Sequence, residues 1–201
     1  MRKFIYLISP NKVHSSFYED LDKIFQSKKV KFFQIRLKKK DQKSIIRIAK
    51  KVRPITSRHK VKLIINDSLK ITKIIKADGC HLGQSDGDIF YARKRLKKKI
   101  LGITCHNSKF LIKEAIKIKA DYLALGSFYK SKLKPKAIKA DLRNLIWARK
   151  FTTKPIVAIG GITHKNYKKL IKYGANYIAL SSFIWNNKKL KPWDAIRKFN
   201  Q

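Results

Sequence analysis

Short runs of β-branched and aromatic residues alternate along the chain with longer stretches whose apolar residues recur every three or four positions. The first pattern is typical of buried strands and the second of amphipathic helices. Strands are predicted at residues 4–8, 32–36, 61–66, 79–82, 100–104, 122–126, 156–159 and 177–181. The clearest helices are predicted at residues 42–53, 109–118, 142–150 and 165–173.

Eight strand and helix units in 201 residues leave about 25 residues for each unit, near the lower limit for an α/β fold of the (β/α)8 TIM-barrel type. An open doubly wound sheet would usually carry a glycine-rich turn after its first strand, and Ser9-Pro10-Asn11 offers none. No Ser- or Gly-rich linker interrupts the pattern, so one TIM-barrel domain over residues 1–201 is predicted. Active sites of such barrels lie where strands end. Residues 130–140, the least periodic long segment, are a candidate mobile loop over the site.

The charge of the chain is extreme, with 50 basic residues against 12 acidic ones and a formal net charge of +38. The lysines fall among apolar residues at helical spacing, which is typical of solvated helix faces. Such a surface attracts anions, so polyanionic substrates are plausible partners. A basic nucleic-acid-binding module without catalysis is the alternative, although a recognition helix, a basic tail and a basic sheet with stacked aromatics are not recognisable.

The apolar run near the start is shorter than a secretory signal requires, and no run reaches the length of a membrane span. Cys80 and Cys105 lack the spacing of a metal or redox motif and lie inside apolar segments. We therefore expect reduced core thiols in a soluble, cytoplasmic protein.

A polar and basic set of side chains follows the second predicted strand. Because alternate residues of a strand face the same side, Gln34 and Arg36 are expected to point into the barrel mouth, with Lys38 just above. Arginine suits bidentate capture of phosphate oxygens, and lysine adds a point charge. The set therefore fits a polar anionic substrate, and the alternative is an ordinary basic strand exit.

Two of the scarce acids follow successive strands. Asp67 stands in Asn66-Asp67 after the third strand, and Asp86 stands in Gln84-Ser85-Asp86 after the fourth. Neighbouring parallel strands lie about 4.8 Å apart, so the two carboxylates could share one hard cation. Mg²⁺ prefers one or two carboxylates completed by water and substrate phosphates. The alternative is that each aspartate caps the helix that follows it.

Later strand ends carry weaker signals. Thr104 could touch a substrate, and His106 could act as an acid or base, or pack beside a helix capped by Asn107 or Ser108. His81, inside the fourth strand, is interpreted as a structural histidine. The seventh strand runs into Gly160-Gly161-Ile162-Thr163 and the eighth into Ser181-Ser182, where barrels often hold a phosphate on backbone N–H groups.

With these residues in order, the chain resembles the thiamine-phosphate synthase family from Tyr6 to about Trp193. The family's Gln-x-Arg-x-Lys motif matches Gln34, Arg36 and Lys38, and its Asn-Asp motif matches Asn66 and Asp67. Its His-Leu-Gly-Gln-x-Asp motif matches His81 to Asp86, and its Ala-Ile-Gly-Gly-Ile motif matches Ala158 to Ile162. Several motifs in the right order at the right strand ends make the resemblance specific.

The resemblance implies that 4-amino-2-methyl-5-hydroxymethylpyrimidine diphosphate is joined to 4-methyl-5-(2-phosphoethyl)thiazole, giving thiamine phosphate and pyrophosphate. It implies one Mg²⁺ on Asp67 and Asp86, and it makes Arg36, Lys38, Ser131 and Lys134 the catalytic set. It also implies a set of substrate-binding residues: Gln34, Ile35, Arg36, Leu37, Lys38, Asn66, Thr104, Ser131, Lys134, Gly161, Leu180 and Ser181. Of these, Gly161, Leu180 and Ser181 are implied to bind the thiazole phosphate, largely through backbone.

One departure from the family pattern concerns the segment after the sixth strand. The family's Pro-Thr-x-Thr-Lys is here Lys130-Ser131-Lys132-Leu133-Lys134, so one hydroxyl is kept and one is lost. Thiazole specificity is therefore less firmly implied than pyrimidine diphosphate binding. A sister family, the thiazole tautomerases, depends on a histidine after the fifth strand, and His106 keeps that alternative open. The presence of Gln34, Arg36, Lys38, Asp67 and Asp86 together argues against it.

Overall fold

The computed structural model describes residues 3–130 and 139–200, and its strands form a closed barrel of eight parallel strands in chain order. This confirms the predicted α/β barrel. The strands are β1 (Ile5–Ile8), β2 (Val30–Ile35), β3 (Lys62–Asn66), β4 (Gly79–Leu82), β5 (Ile100–His106), β6 (Tyr122–Leu125), β7 (Ile156–Ala158) and β8 (Tyr177–Leu180). Pairing of β1 with β8, with Ile5 beside Ile178, closes the barrel without a free edge.

Among the described residues one helix follows each of β1 to β7, as the periodicity predicts, and two follow β8. The helices are α1 (Phe17–Gln26), α2 (Gln42–Arg58), α3 (Leu69–Ile74), α4 (Ile89–Leu96), α5 (Lys109–Lys117), α6 (Leu142–Phe151), α7 (Tyr167–Lys172), α8 (Ser182–Trp185) and α9 (Pro192–Arg197). The pattern predicts an end for α2 at Arg53, before Pro54, but the helix continues through this proline to Arg58. Val52 and Thr56 are buried on either side of it, so packing outweighs the hydrogen bond that proline removes.

The alternation of side chains along each strand divides the apolar residues into two cores. The larger core lies between strands and helices, and Leu7, Phe33 and Ile35 belong to it. The smaller core, the barrel interior, is formed by residues that alternate with those: Tyr6, Ile8, Phe32, Ile64, Tyr122, Ala124, Val157 and Ala179. The two tyrosines, Tyr6 and Tyr122, place hydroxyl groups inside this otherwise apolar interior.

A repeated polar clamp ties three even-numbered strands to the odd-numbered strands before them. The side chain of the residue directly before β4, β6 or β8 accepts a hydrogen bond from a backbone N–H near the start of the preceding strand. The three pairs are Asp78 with the Leu63 N–H (2.9 Å), Asp121 with the Leu101 N–H (2.8 Å) and Asn176 with the Ile156 N–H (2.9 Å). In each pair the backbone N–H of the first residue donates to the carbonyl of its partner. An arginine of the helix before the odd strand donates to each clamp, and these are Arg53, Arg93 and Arg149.

Both cysteines, Cys80 and Cys105, are free and buried, as predicted, and burial raises the pKa of each thiol to about 12. Over residues 3–130 and 139–200, none of the helices has both the length and the apolar character needed to cross a membrane.

Candidate active site at the carboxyl ends of the strands

Asp67 and Asp86, which follow β3 and β4, lie within hydrogen-bonding reach of each other. Burial and the neighbouring Asp86 raise the pKa of Asp67 to about 6. Burial also opposes ionisation of Asp86, but hydrogen bonds from Asp67 and from the Gly83 N–H, 2.7 Å away, lower the pKa of Asp86. The two carboxyl groups therefore share a proton between them at mildly acidic pH, which is the behaviour of two acids brought together in a partly desolvated place.

Neither aspartate caps a helix, so the structure removes the alternative explanation for them. Helix α3 is capped by Ser68, which accepts the Ile71 N–H, and helix α4 by Asp88, which accepts the Phe90 and Tyr91 N–H groups. Asp67 has a positive φ of 61°, and its N–H donates to the carbonyl of His81. This left-handed conformation is uncommon for a residue other than glycine, and it helps to set the position of the Asp67 carboxylate after β3.

Two cations stand beside the carboxylate pair. Lys38 Nζ lies 3.6 Å from Asp67 Oδ2, and the charges of Lys38 and Arg36 both act to lower the pKa of Asp67. The backbone of Arg36 is held in place by Ser9, whose hydroxyl accepts the Arg36 N–H at 2.9 Å. The structure thus brings together the basic exit of β2 and the acidic exits of β3 and β4.

The other predicted residues of β2 and β3 divide between the barrel interior and the outer core. Gln34 is buried and turns its amide to the hydroxyl of Tyr6, at 3.0 Å. Ile35 and Leu37 are buried in the core between strands and helices. A substrate in the barrel mouth could therefore contact their backbone atoms but not their side chains. Asn66 is half-buried at the end of β3, beside His81 of β4 in the strand register.

A continuous chain of hydrogen bonds crosses the barrel interior below these groups. It runs from Gln34 through Tyr6, Tyr122 and His81 to Thr104, on strands β2, β1, β6, β4 and β5. The distances are 3.0 Å from Gln34 to Tyr6, 2.7 Å between the tyrosine hydroxyls, 3.0 Å from Tyr122 to His81 Nδ1, and 2.9 Å from His81 Nε2 to Thr104. Sequence reasoning missed both tyrosines, although a tyrosine in an apolar run is itself a signal, because its buried hydroxyl needs a partner.

The exit of β5 presents Thr104, which is half-buried, and His106, which is exposed and has a positive φ of 51°. Helix α5 is capped by Ser108, one of the two residues predicted for this role, whereas Asn107 accepts the Asp141 N–H. His81 makes the structural contacts expected of it, and it also touches Thr104, a predicted substrate residue.

The predicted phosphate region lies at the ends of β7 and β8. Gly160 and Gly161 have positive φ angles of 104° and 58°, and a Cβ on Gly161 would stand 2.3 Å from the carbonyl oxygen of Lys130. Only glycine fits this turn. Leu180 is buried and Ser181 is half-buried after β8, where the Ser181 hydroxyl donates to the carbonyl of Ser9.

Two of the predicted catalytic residues, Ser131 and Lys134, lie outside the described residues, as does most of the predicted loop. Within the described ranges, no cluster of three or more His, Cys, Asp or Glu side chains could hold a metal ion. A cation at Asp67 and Asp86 would therefore have to complete its coordination with water and substrate oxygens, which is the arrangement that Mg²⁺ favours.

A closed barrel that gathers carboxylates, cations and a glycine turn at the carboxyl ends of its strands defines the class of this protein: a (β/α)8-barrel enzyme whose site suits anionic substrates. Residues 5–184 match the family model described as thiamine monophosphate synthase. The chain belongs to that family, as its resemblance implied, and it is a transferase.

Individual relatives agree with this assignment. The chain is 54% identical over 198 residues to a thiamine-phosphate synthase of Pelagibacter ubique, covering 98% of this chain and 96% of that one. It is 40% identical to a thiamine-phosphate synthase of Erythrobacter litoralis, covering 90% and 88% of the two chains. A solved structure of thiamine phosphate pyrophosphorylase from Pyrococcus furiosus has the same fold, with a TM-score of 0.85 and 24% identity over 98% of this chain and 93% of that one.

Proposed function

We propose that this site joins 4-amino-2-methyl-5-hydroxymethylpyrimidine diphosphate to 4-methyl-5-(2-phosphoethyl)thiazole, with release of pyrophosphate. The observation that carries the proposal is the carboxylate pair of Asp67 and Asp86 beside Lys38, because neither acid is used as a helix cap. The relatives named above, which bear the name of this activity, support the proposal.

Asp67 and Asp86 are the residues that would hold one Mg²⁺. They fit the ion, because two carboxyl groups close enough to share a proton form a site in which a divalent cation can take the place of that proton. When bound, Mg²⁺ would neutralise the charge that builds on the departing diphosphate.

Arg36 and Lys38 would bind the diphosphate and stabilise its developing negative charge, together with Ser131 and Lys134. In the reaction the thiazole nitrogen forms a bond to the methylene carbon of the pyrimidine, and the bond from that carbon to the diphosphate oxygen breaks. The aminopyrimidine ring can delocalise positive charge on the methylene, so no protein nucleophile is required. The protein contributes orientation and electrostatic stabilisation of the leaving group.

The two substrates would occupy different parts of the barrel mouth. Gln34, Asn66 and Thr104, at the ends of β2, β3 and β5, would hold the pyrimidine. Gly161, Leu180 and Ser181, at the ends of β7 and β8, would hold the thiazole phosphate through backbone groups, since a glycine turn lets backbone approach an oxygen closely.

The test is a turnover assay for thiamine phosphate with both substrates and Mg²⁺, applied to Asp67→Asn and Asp86→Asn. Each change removes one metal-binding charge and keeps the shape of the side chain. We expect each to lower the rate at least about a hundredfold, because a metal that stabilises a leaving group contributes several kcal/mol.

Asp88→Asn is the matched control, because Asp88 lies only two residues beyond Asp86 and serves as the cap of α4. Asparagine is also a good cap, so this variant should keep its rate and its dependence on Mg²⁺. Near-normal rates in both Asp67→Asn and Asp86→Asn would reject the metal assignment.

A further inference from the structure

The hydrogen-bond chain through the barrel interior links two predicted substrate residues, Gln34 and Thr104, that stand on different strands. Its middle members, Tyr6 and Tyr122, are only 2% and 1% exposed, and their hydroxyls bond to each other inside the barrel. Burial raises the pKa of both tyrosines, so each keeps its hydroxyl proton and has one hydrogen to donate.

The direction of the chain follows from its first link. Gln34 donates an amide N–H to the Tyr6 oxygen, so the Tyr6 proton is directed to Tyr122 and the Tyr122 proton to Nδ1 of His81. An Nδ1 that accepts a hydrogen bond carries no proton, so the ring proton of His81 is on Nε2, which donates to the Thr104 hydroxyl oxygen. The Thr104 proton is left to point elsewhere.

The opposite direction is unfavourable. Tyr6 would then receive both the Gln34 N–H and the Tyr122 O–H, and its own proton would have no acceptor among the hydrogen bonds of the described residues. A buried hydroxyl proton without an acceptor is costly. The order of donors therefore runs from Gln34 to Thr104.

The barrel is shaped to allow this chain. Gly102 of β5 stands between His81 and Tyr122 in the strand register, and a Cβ there would lie 1.9 Å from Cζ of Tyr122. The missing side chain leaves room for the Tyr122 ring, which stacks on His81 with a centroid separation of 5.7 Å and an interplanar angle of 9°.

We propose that Tyr6 and Tyr122 are positioning residues that fix His81 as its Nε2–H tautomer and thereby make Thr104 a hydroxyl donor to an acceptor atom of the substrate. The acceptor is a ring nitrogen or a phosphate oxygen of the pyrimidine diphosphate, so this part of the inference rests on the proposed function. Thr104 then distinguishes substrates that present an acceptor at this point from those that present a donor.

The tautomer can be tested in the protein without substrate. The ring ¹⁵N shifts of His81 are measured in wild type at pH 8, and its signals are assigned by their loss in His81→Gln. We expect a protonated Nε2 and an unprotonated Nδ1. In Tyr122→Phe the donor to Nδ1 is gone, so the two ring nitrogens should move towards an average of the two tautomers. A proton on Nδ1 in wild type, or unchanged shifts in Tyr122→Phe, would overturn the inference.

The kinetic measurement is the KM for each substrate. In Tyr122→Phe we expect the KM for the pyrimidine diphosphate to rise about tenfold, as for the loss of one oriented hydrogen bond, with the KM for the thiazole phosphate within about twofold of wild type. An unchanged KM for the pyrimidine diphosphate would contradict the proposed role of Thr104. If Tyr122→Phe does not fold, the wild-type shifts of His81 still decide whether the proton is on Nε2.

Tyr167→Phe is the matched control. Tyr167 is also 2% exposed, and its hydroxyl makes two hydrogen bonds to the backbone of Asn200, on the helix side of the fold. Removing this hydroxyl should lower stability without altering the His81 shifts or either KM. Wild-type protein that forms no thiamine phosphate would refute the proposed function, while the His81 shifts would still decide the inference about the tyrosines.

Discussion

The polar clamps before β4, β6 and β8 should contribute unequally to the free energy of unfolding, because they differ in exposure to water. Of the two acidic clamps, Asp78 is the more buried, with a side chain 17% exposed against 44% for Asp121. It accepts hydrogen bonds from the Leu63 N–H, from Arg53 at 2.5 Å and from Lys62 at 3.2 Å. The Leu63 N–H and Arg53 share one carboxylate oxygen, and in Asp78→Asn the remaining oxygen can still accept from both. The amide NH₂ then faces the Lys62 ammonium, and the negative charge that pairs with Arg53 and Lys62 is lost. We expect a loss of about 2 kcal/mol, typical of hydrogen bonds to a charged group.

The other two clamps provide internal comparisons. Asp121→Asn should cost less than about 1 kcal/mol, because its ion pair with Arg93 is more exposed to water. Asn176→Asp makes the reverse change, placing a carboxylate where Arg149 now donates to an amide oxygen at 3.4 Å, and should be neutral or stabilising by up to about 0.5 kcal/mol. A carboxylate beside the arginine is thus expected to be at least as favourable as an amide at all three equivalent positions of the repeat.

The assay is equilibrium unfolding in urea at pH 7, with the slope checked for constancy across the variants. A loss in Asp78→Asn no larger than in Asp121→Asn would refute the reasoning, as would a clear destabilisation in Asn176→Asp. Both results would mean that the clamps act by shape alone and that their charge is irrelevant.

The same clamp predicts a pH dependence. Burial alone would raise the pKa of Asp78, but the Leu63 N–H and the cations of Arg53 and Lys62 outweigh it and lower that pKa below its usual range. The stabilisation is therefore complete above the unfolded pKa of about 4 and is lost as the pH falls towards the lower folded pKa. The stability difference between wild type and Asp78→Asn should be constant near pH 7 and should shrink below about pH 4.

Two further predictions concern the anion sites. Gly161→Ala should raise the KM for the thiazole phosphate more than that for the pyrimidine diphosphate, because its Cβ would lie 2.3 Å from the Lys130 carbonyl oxygen. The control is Gly174→Ala, which is also at positive φ but lies before β8 and should leave both KM values unchanged. DNA binding measured by fluorescence anisotropy should collapse between low and physiological salt, since the +38 charge attracts phosphates without a recognition element. Tight sequence-selective binding at physiological salt would contradict this interpretation of the charge.

The fold was predictable because a parallel strand buried on both faces appears as a continuous apolar run. Element ends were less so. Strand β2 begins at Val30, two residues before the predicted start, and α2 passes through Pro54. In both cases tertiary burial extends an element beyond the point where local propensity would end it.

That Asp67 and Asp86 lie close together was predictable from the sequence, because the strand ends of a barrel meet at one rim. That neither aspartate caps a helix was not predictable. Asp67 and Asp86 are each followed within two residues by a second capping residue, Ser68 or Asp88, and the structure shows that these take the helix ends. Choosing between adjacent capping residues requires backbone geometry. Asp67 has a positive φ, whereas an N-cap residue is usually extended, as Ser68 is.

The interior chain could not be predicted from the sequence, and the reason is physical. Periodicity marks Tyr6 and Tyr122 as buried, but it cannot say that residues 116 positions apart bring their hydroxyls within 2.7 Å across the barrel. That contact depends on closure of β1 onto β8 and on the space left by Gly102. A buried polar chain must be satisfied at every link, so each member constrains the next. The motif residues Gln34, His81 and Thr104 are therefore one connected unit rather than three separate contacts. Replacing either tyrosine should alter the hydrogen bonding of the residues at the carboxyl ends of the strands.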